Sequence, residues 1–150
     1  MDFSKLWDDA VLGHYEVQDP SFINMINYVL GNIPDKFEED FPTFCMYQRE
    51  TEWCAYLDID NNILFDVEKI NLQSKGADNV IIGIIAEILA LLLIKSETSN
   101  LKKISGESLF ARVAQLALDW GFSGELEEYH NLLGRVITLD LPDDRPDIYN

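Results

Sequence analysis

Basic residues are scarce in this chain. Eleven Lys and Arg face twenty-seven Asp and Glu over 150 residues, for a formal net charge of −16 and a pI near 4.2. A field of that sign repels phosphate backbones and anionic membrane surfaces, and it speeds encounter with basic proteins. Direct binding to nucleic acid or to a membrane is therefore not expected. Cysteine is nearly absent as well. Cys45 and Cys54, separated by eight residues, form no CxxC and have no histidine cluster beside them. The opening MDFSKLWDDAVLGHY has no basic region followed by an apolar core, so it does not read as a secretory signal. Reduced thiols in a cytoplasmic protein are the expectation from these features together.

Long apolar runs are missing too, with one exception. VIIGIIAEILALLLI, Val80 to Ile94, carries Glu87 as its only charge. Its fifteen residues fall short of the roughly 20 that a membrane-spanning helix needs, and Glu87 would lie near mid-membrane, where an unpaired carboxylate is costly. Asp78, as an N-cap, and the polar ends at Lys95, Ser96 and Glu97 instead mark the buried central helix of a globular domain, over about 78–96. A chain of this length, 47% hydrophobic and 25% charged, can bury a core of that kind as one domain.

The remaining segments supply material to wrap it. Phe3, Leu6, Trp7, Ala10 and Val11 recur at helical spacing. Asp19-Pro20 reads as an N-cap followed by proline at the first helical position, with Phe22, Ile23, Ile26, Val29 and Leu30 as the apolar stripe and Gly31 as the stop. After Glu97–Asn100, Leu109, Val113, Leu116, Ala117 and Trp120 form another stripe, closed by Gly121. Ser123 then caps a helix carrying Leu126, Tyr129, His130, Leu133 and Ile137, with Glu125, Glu127 and Glu128 at its positive end. The middle is different. In EWCAYLDI the period is near two, Asp60-Asn61-Asn62 is turn chemistry, and ILFDVEKI can return as a second strand. Ile63, Val67 and Ile70 also fit a helix, so a small hairpin over about 52–70 and a helix there both stay open. The expectation is a mostly α, single domain over 1–150, with an acidic, proline-containing tail over 140–150.

No motif announces catalysis. Asp58, Asp60 and Asn62 open like a calcium loop, but Ile63 stands where the glycine belongs and Lys69 where the bidentate acid belongs. Glu127 and His130 have the i, i+3 spacing of di-metal bundles without the second pair those sites require. His14 follows Gly13 at a helix end, which explains it without chemistry. The glycines never assemble into a phosphate loop. No metal, cofactor or enzymatic activity is expected. Glu87 and His130 are the pair around which a small enzyme or ligand binder would have to be built.

What is abundant is surface acid, in clusters: Asp8-Asp9, Glu38-Glu39-Asp40, Asp58 and Asp60 with Glu52, Glu125-Glu127-Glu128, and Asp143-Asp144. Carboxylates set opposite Lys and Arg raise association rates, and an aromatic such as Trp53 can anchor what electrostatics only attracts. As a whole-chain profile this resembles the immunity proteins of bacterial polymorphic toxin systems, including contact-dependent growth inhibition. The resemblance implies a cytoplasmic inhibitor that binds one cognate toxin domain, often a nuclease; the acidity of the chain makes a basic partner the expectation, and monomer and homodimer both stay open. It carries over no family residue. From the clusters themselves, Glu52, Trp53, Asp58 and Asp60 are the expected interface, with Glu38, Glu39 and Asp40 as a neighbouring patch. An acidic DNA mimic and a generic interaction module are the alternatives.

Overall fold

The computed structural model describes residues 17–98, 101 and 104–140. The helix expected over Phe3–Val11, His14, and the tail beyond Asp140 lie outside the described residues. Within them the chain folds as a mostly helical domain around one buried helix. Helix α1 (Pro20–Asn32) is followed by a 3-10 segment (Asp35–Asp40), strands β1 (Cys45–Gln48), β2 (Ala55–Leu57) and β3 (Asn62–Phe65), then helices α2 (Val67–Ser74), α3 (Asp78–Glu97), α4 (Gly106–Asp119) and α5 (Ser123–Leu133), and finally strand β4 (Ile137–Leu139).

Local chemistry explains most of the boundaries. Asp19 caps α1, its carboxylate accepting from the Phe22 N–H at 3.1 Å, and Pro20 fills the first turn. Phe22, Ile26, Val29 and Leu30 are buried as the stripe predicts, but α1 runs past Gly31 to Asn32. Asp66 caps α2 by accepting from Lys69 N–H. That cap resolves the ambiguous middle segment, because residues before it pair as a hairpin and residues after it coil. Asp78 is the first residue of α3 rather than its cap, which is Ala77. Ser123 likewise opens α5 behind Phe122, so the side-chain cap expected of it is not made. Asp78 still places a negative charge at the positive end of the α3 dipole.

The sheet has the order β1-β3-β2-β4. Only β2 and β3 are antiparallel, joined by the turn around Asp60; β1 pairs parallel with β3 and β4 parallel with β2. Ile137 belongs to β4 and not to the last helix. The cause is Gly134, at φ 65°, whose N–H closes α5 on the His130 carbonyl and whose conformation the chain then uses to turn away.

Helix α3 is long and apolar enough to cross a membrane, yet 78% of its most apolar window is buried inside the domain. It packs against α1, α2, α4, α5 and the sheet. Its closest neighbour is α5, and the reason is Gly83. A Cβ at that position would stand 2.6 Å from the Glu125 carbonyl oxygen and 2.9 Å from Tyr129 Cβ. Those atoms are α5 backbone and a buried side-chain root, so they cannot swing aside. Gly83→Ala is expected to destabilise the protein by about 1–3 kcal/mol through overpacking. Gly124→Ala, where the added methyl meets nothing within 4 Å, should instead stabilise by about 0.4–1 kcal/mol. Urea unfolding midpoints of the two variants check the pair.

Candidate functional site

The expected interface residues divide between the two ends of β2. Asp58 and Asp60 lie in the turn at its far end, where the chain reverses through Asn61 at φ 64°. Asp58 is committed to that turn. One of its oxygens accepts from the N–H groups of Asp60 at 2.9 Å and Asn62 at 2.8 Å, and the other accepts from the Asn62 side-chain amide at 2.9 Å. Lys95, near the C-terminus of α3, donates to the Asp58 carbonyl at 2.8 Å, the Ile59 carbonyl at 3.3 Å and Asn61 Oδ1 at 3.0 Å. Burial lowers the Lys95 pKa against the opposing pull of Asp58, Asp60 and Asp140. Asp140 thus joins this end of the sheet. Burial, with a hydrogen bond to Asp140 adding to it, pushes the Tyr56 hydroxyl up to about 12.

The second acidic segment meets the same helix end. Ser96 Oγ lies 3.5 Å from the Asp40 carbonyl, while Phe37 and Phe41 anchor the 3-10 segment against the buried Trp120 ring. Glu38, Glu39 and Asp40 are exposed. The structure therefore brings Glu38–Asp40, Asp58 and Asp60 to the C-terminal end of α3, and adds Asp140, which the sequence had assigned to the tail.

Glu52 and Trp53 are exposed at the other end of β2. The three residues of β2, roughly 10 Å of strand, lie between the two ends. Here Asp66 accepts from Thr51 N–H at 3.1 Å and Lys69 donates to the Thr51 carbonyl, pinning the loop over α2. Alternation fails at this point: Cys54 and Ala55 are both buried. Cys54 N–H donates to the Val136 carbonyl at 3.0 Å, drawing β4 alongside. An open cleft of about 670 Å³ lies nearby, between Gln48–Glu50 and Asp66–Gln73. Its Asp66 and Lys69 are engaged with each other and with Thr51.

Glu87, 1% exposed, is the carboxylate in the middle of α3. It does not pair with Arg112, which is exposed. Tyr129 donates its hydroxyl to Oε1 at 2.7 Å, and His130 Nε2 sits 2.6 Å from Oε2. An ionised carboxylate makes that ring nitrogen the donor. The Tyr129 oxygen in turn accepts from Val136 N–H at 2.9 Å. Burial, with the Glu87 charge adding to it, holds the Tyr129 hydroxyl well above its usual range, so it stays a donor. His130 keeps about a third of its side chain exposed and packs its ring on Tyr129. The sequence put Tyr129 on the apolar stripe; its hydroxyl was the missed functional group. Among the described residues no group of three or more His, Cys, Asp or Glu is placed to hold a metal ion.

No protein-family model matches this chain, and no curated protein or solved structure is significantly similar to it. The functional reading rests on its own charge and geometry.

Two measurements test this description. Tyr129→Phe leaves Val136 N–H without its acceptor and should cost about 1–3 kcal/mol, and Glu87→Ala, which strands two donors, about 3 kcal/mol or more, both by urea unfolding. Burial pushes the Cys54 thiol up to about 11. Its alkylation at neutral pH should accelerate at least about a hundredfold on unfolding; peptide mapping after timed labelling reads the rate.

Proposed function

We propose that this protein is an inhibitory binding protein of the immunity type, which captures a basic toxin domain and blocks it by occupying the sites where its phosphate-bearing substrate would bind. The observation that carries this reading is the placement of two acidic segments at one helix end. The C-terminus of α3 is already the negative pole of its dipole. Around it stand Glu38, Glu39, Asp40, Asp58, Asp60 and Asp140, with Lys95 committed to backbone carbonyls. Such crowding of like charge costs folding stability, and it supplies the steering field and charge complementarity that a basic partner rewards. Ile59, 46% exposed among these acids, offers an apolar contact at the same place.

The second reading, a small ligand or catalytic site at Glu87 and His130, draws on the carboxylate-oriented imidazole. That arrangement is base plus orienter, and neither Glu87 nor His130 lines the cleft described above, which is formed by residues 48–50, 66–69, 72 and 73.

The test begins with the immobilised protein and lysate of its native host, washed at low and high salt. A single basic protein is expected to remain, toxic when expressed alone and harmless when co-expressed with this chain. Reversing Glu38, Glu39 and Asp60 to Lys should then slow association at least about tenfold while leaving the unfolding midpoint within about 1 kcal/mol equivalents. Asp58 is left intact in this variant because its carboxylate builds the turn. An unchanged association rate would place the interface elsewhere.

A further inference from the structure

The open cleft between Gln48–Glu50 and α2 takes no part in the acidic group at the end of α3, and its volume of about 670 Å³ is that of a ligand pocket. Helical spacing sets its α2 wall. Val67, Ile70 and Ser74 are buried, so Glu68 and Leu72, four residues apart, share an outward face. Leu72 is 78% exposed, more than any other large hydrophobic side chain among the described residues. The neighbouring loop brings an aromatic to the same place. Thr51 is bonded to Asp66 and Lys69, and the Cys54 thiol donates to Gln73 Oε1 at 3.3 Å. All three of those partners line the cleft, and Trp53, 37% exposed, stands between Thr51 and Cys54. The charges on the walls divide into those engaged and those left over. Lys69 is held by the Thr51 carbonyl and Asp66, while Arg49 donates to the Gln48 carbonyl at 3.1 Å with its guanidinium over the Tyr47 ring. Glu50 and Glu68 are exposed, and their side chains make no hydrogen bond or ion pair among the described residues. The cleft therefore presents unmatched carboxylates beside exposed apolar surface.

We infer that this cleft receives a Lys or Arg side chain of the partner, its apolar stem against Leu72 and Trp53 and its charge against Glu50 and Glu68. The inference rests on the reading of a basic partner above, and charge complementarity selects the occupant. Long cationic side chains bury their methylenes on apolar surface while the head seeks an anion, and an indole face attracts the same head. A second copy of this chain would bring its own −16 to these carboxylates. The two contacts divide the work. Exposed acids around Lys95 act on the encounter, whereas a side chain lodged in a cleft acts on the dissociation rate.

The test uses the full chain and the basic protein captured above. Leu72→Ser, and Glu50→Gln together with Glu68→Gln, should each raise the dissociation rate at least about tenfold. Their urea midpoints should hold, because all three side chains are exposed. Leu118→Ser, at an exposed leucine of α4, is the control and should leave the rate unchanged. A photoreactive benzoylphenylalanine in place of Leu72 should then crosslink to a partner segment that carries Lys or Arg, identified by mass spectrometry of the joined peptides. Crosslinks to a second copy of this chain, or to a partner segment without a cation, would overturn the inference. If the captured protein binds and both cleft variants release it at the unaltered rate, the cleft assignment fails and the inhibitor reading stands. If no basic protein binds at all, both fail.

Discussion

A helix with no polar face has to be enclosed on every side, and that requirement organises the molecule. From Val80 to Ile94 nearly every side chain of α3 is buried, ten of them large aliphatics. Each is worth roughly 1.5–3 kcal/mol when removed from water. No single layer can cover such a surface. Helix α5 covers one flank at the near-contact distance that Gly83 permits, while α1, α4 and the sheet take the others. The amphipathic helices exist as helices here largely because α3 offers each of them an apolar wall, since short helices gain most of their stability from packing.

Enclosure places the Glu87 carboxylate in the core, and its solution ties separate elements together. A buried carboxylate is tolerated when it is hydrogen-bonded on both oxygens. Tyr129 and His130, adjacent on α5, supply both donors, so the register of α5 against α3 is fixed by polar contacts as well as by packing. The chain of bonds continues from the Tyr129 oxygen to Val136 N–H, and from the Val136 carbonyl to Cys54 and Ala55 N–H. A three-residue strand such as β4 has little stability of its own. Its place beside β2 is held by a network that begins in the centre of α3.

These features were legible in unequal measure. The central helix, the Asp19-Pro20 start and the stripes of α1 and α4 could be read because one segment carries both the signal and its consequence. The turn at Asp58–Asn62 was legible for the same reason. Strands β1 and β4 were not: each is a few residues long and finds its partner by parallel pairing with a remote strand, which leaves no local period to detect. Ile137 continued the helical stripe of α5 so well that only Gly134 argued against it. At the expected interface, sequence proximity misled. Trp53 and Asp58 are five residues apart and sit at opposite ends of a strand, whereas Asp40 and Asp60, twenty apart, are held at the same helix end by Ser96 and Lys95. Asp140 belonged to that group and read as tail because nothing in its neighbours signals a strand.

Acids follow the helix dipole at several helix starts and depart from it at two of the ends, where Glu97 closes α3 and Asp119 closes α4. Asp78, Glu107 and Glu125 open their helices at the positive pole, where carboxylates stabilise. At the C-terminus of α3 several acids gather near the negative pole around Lys95, whose charge Asp58, Asp60 and Asp140 favour while its amino group bonds backbone carbonyls. One lysine among these acids compensates them only in part, and a residual local conflict of this kind marks a candidate functional surface. Under the proposed inhibitor reading, a cation-bearing partner would relieve the remaining repulsion among these carboxylates on binding.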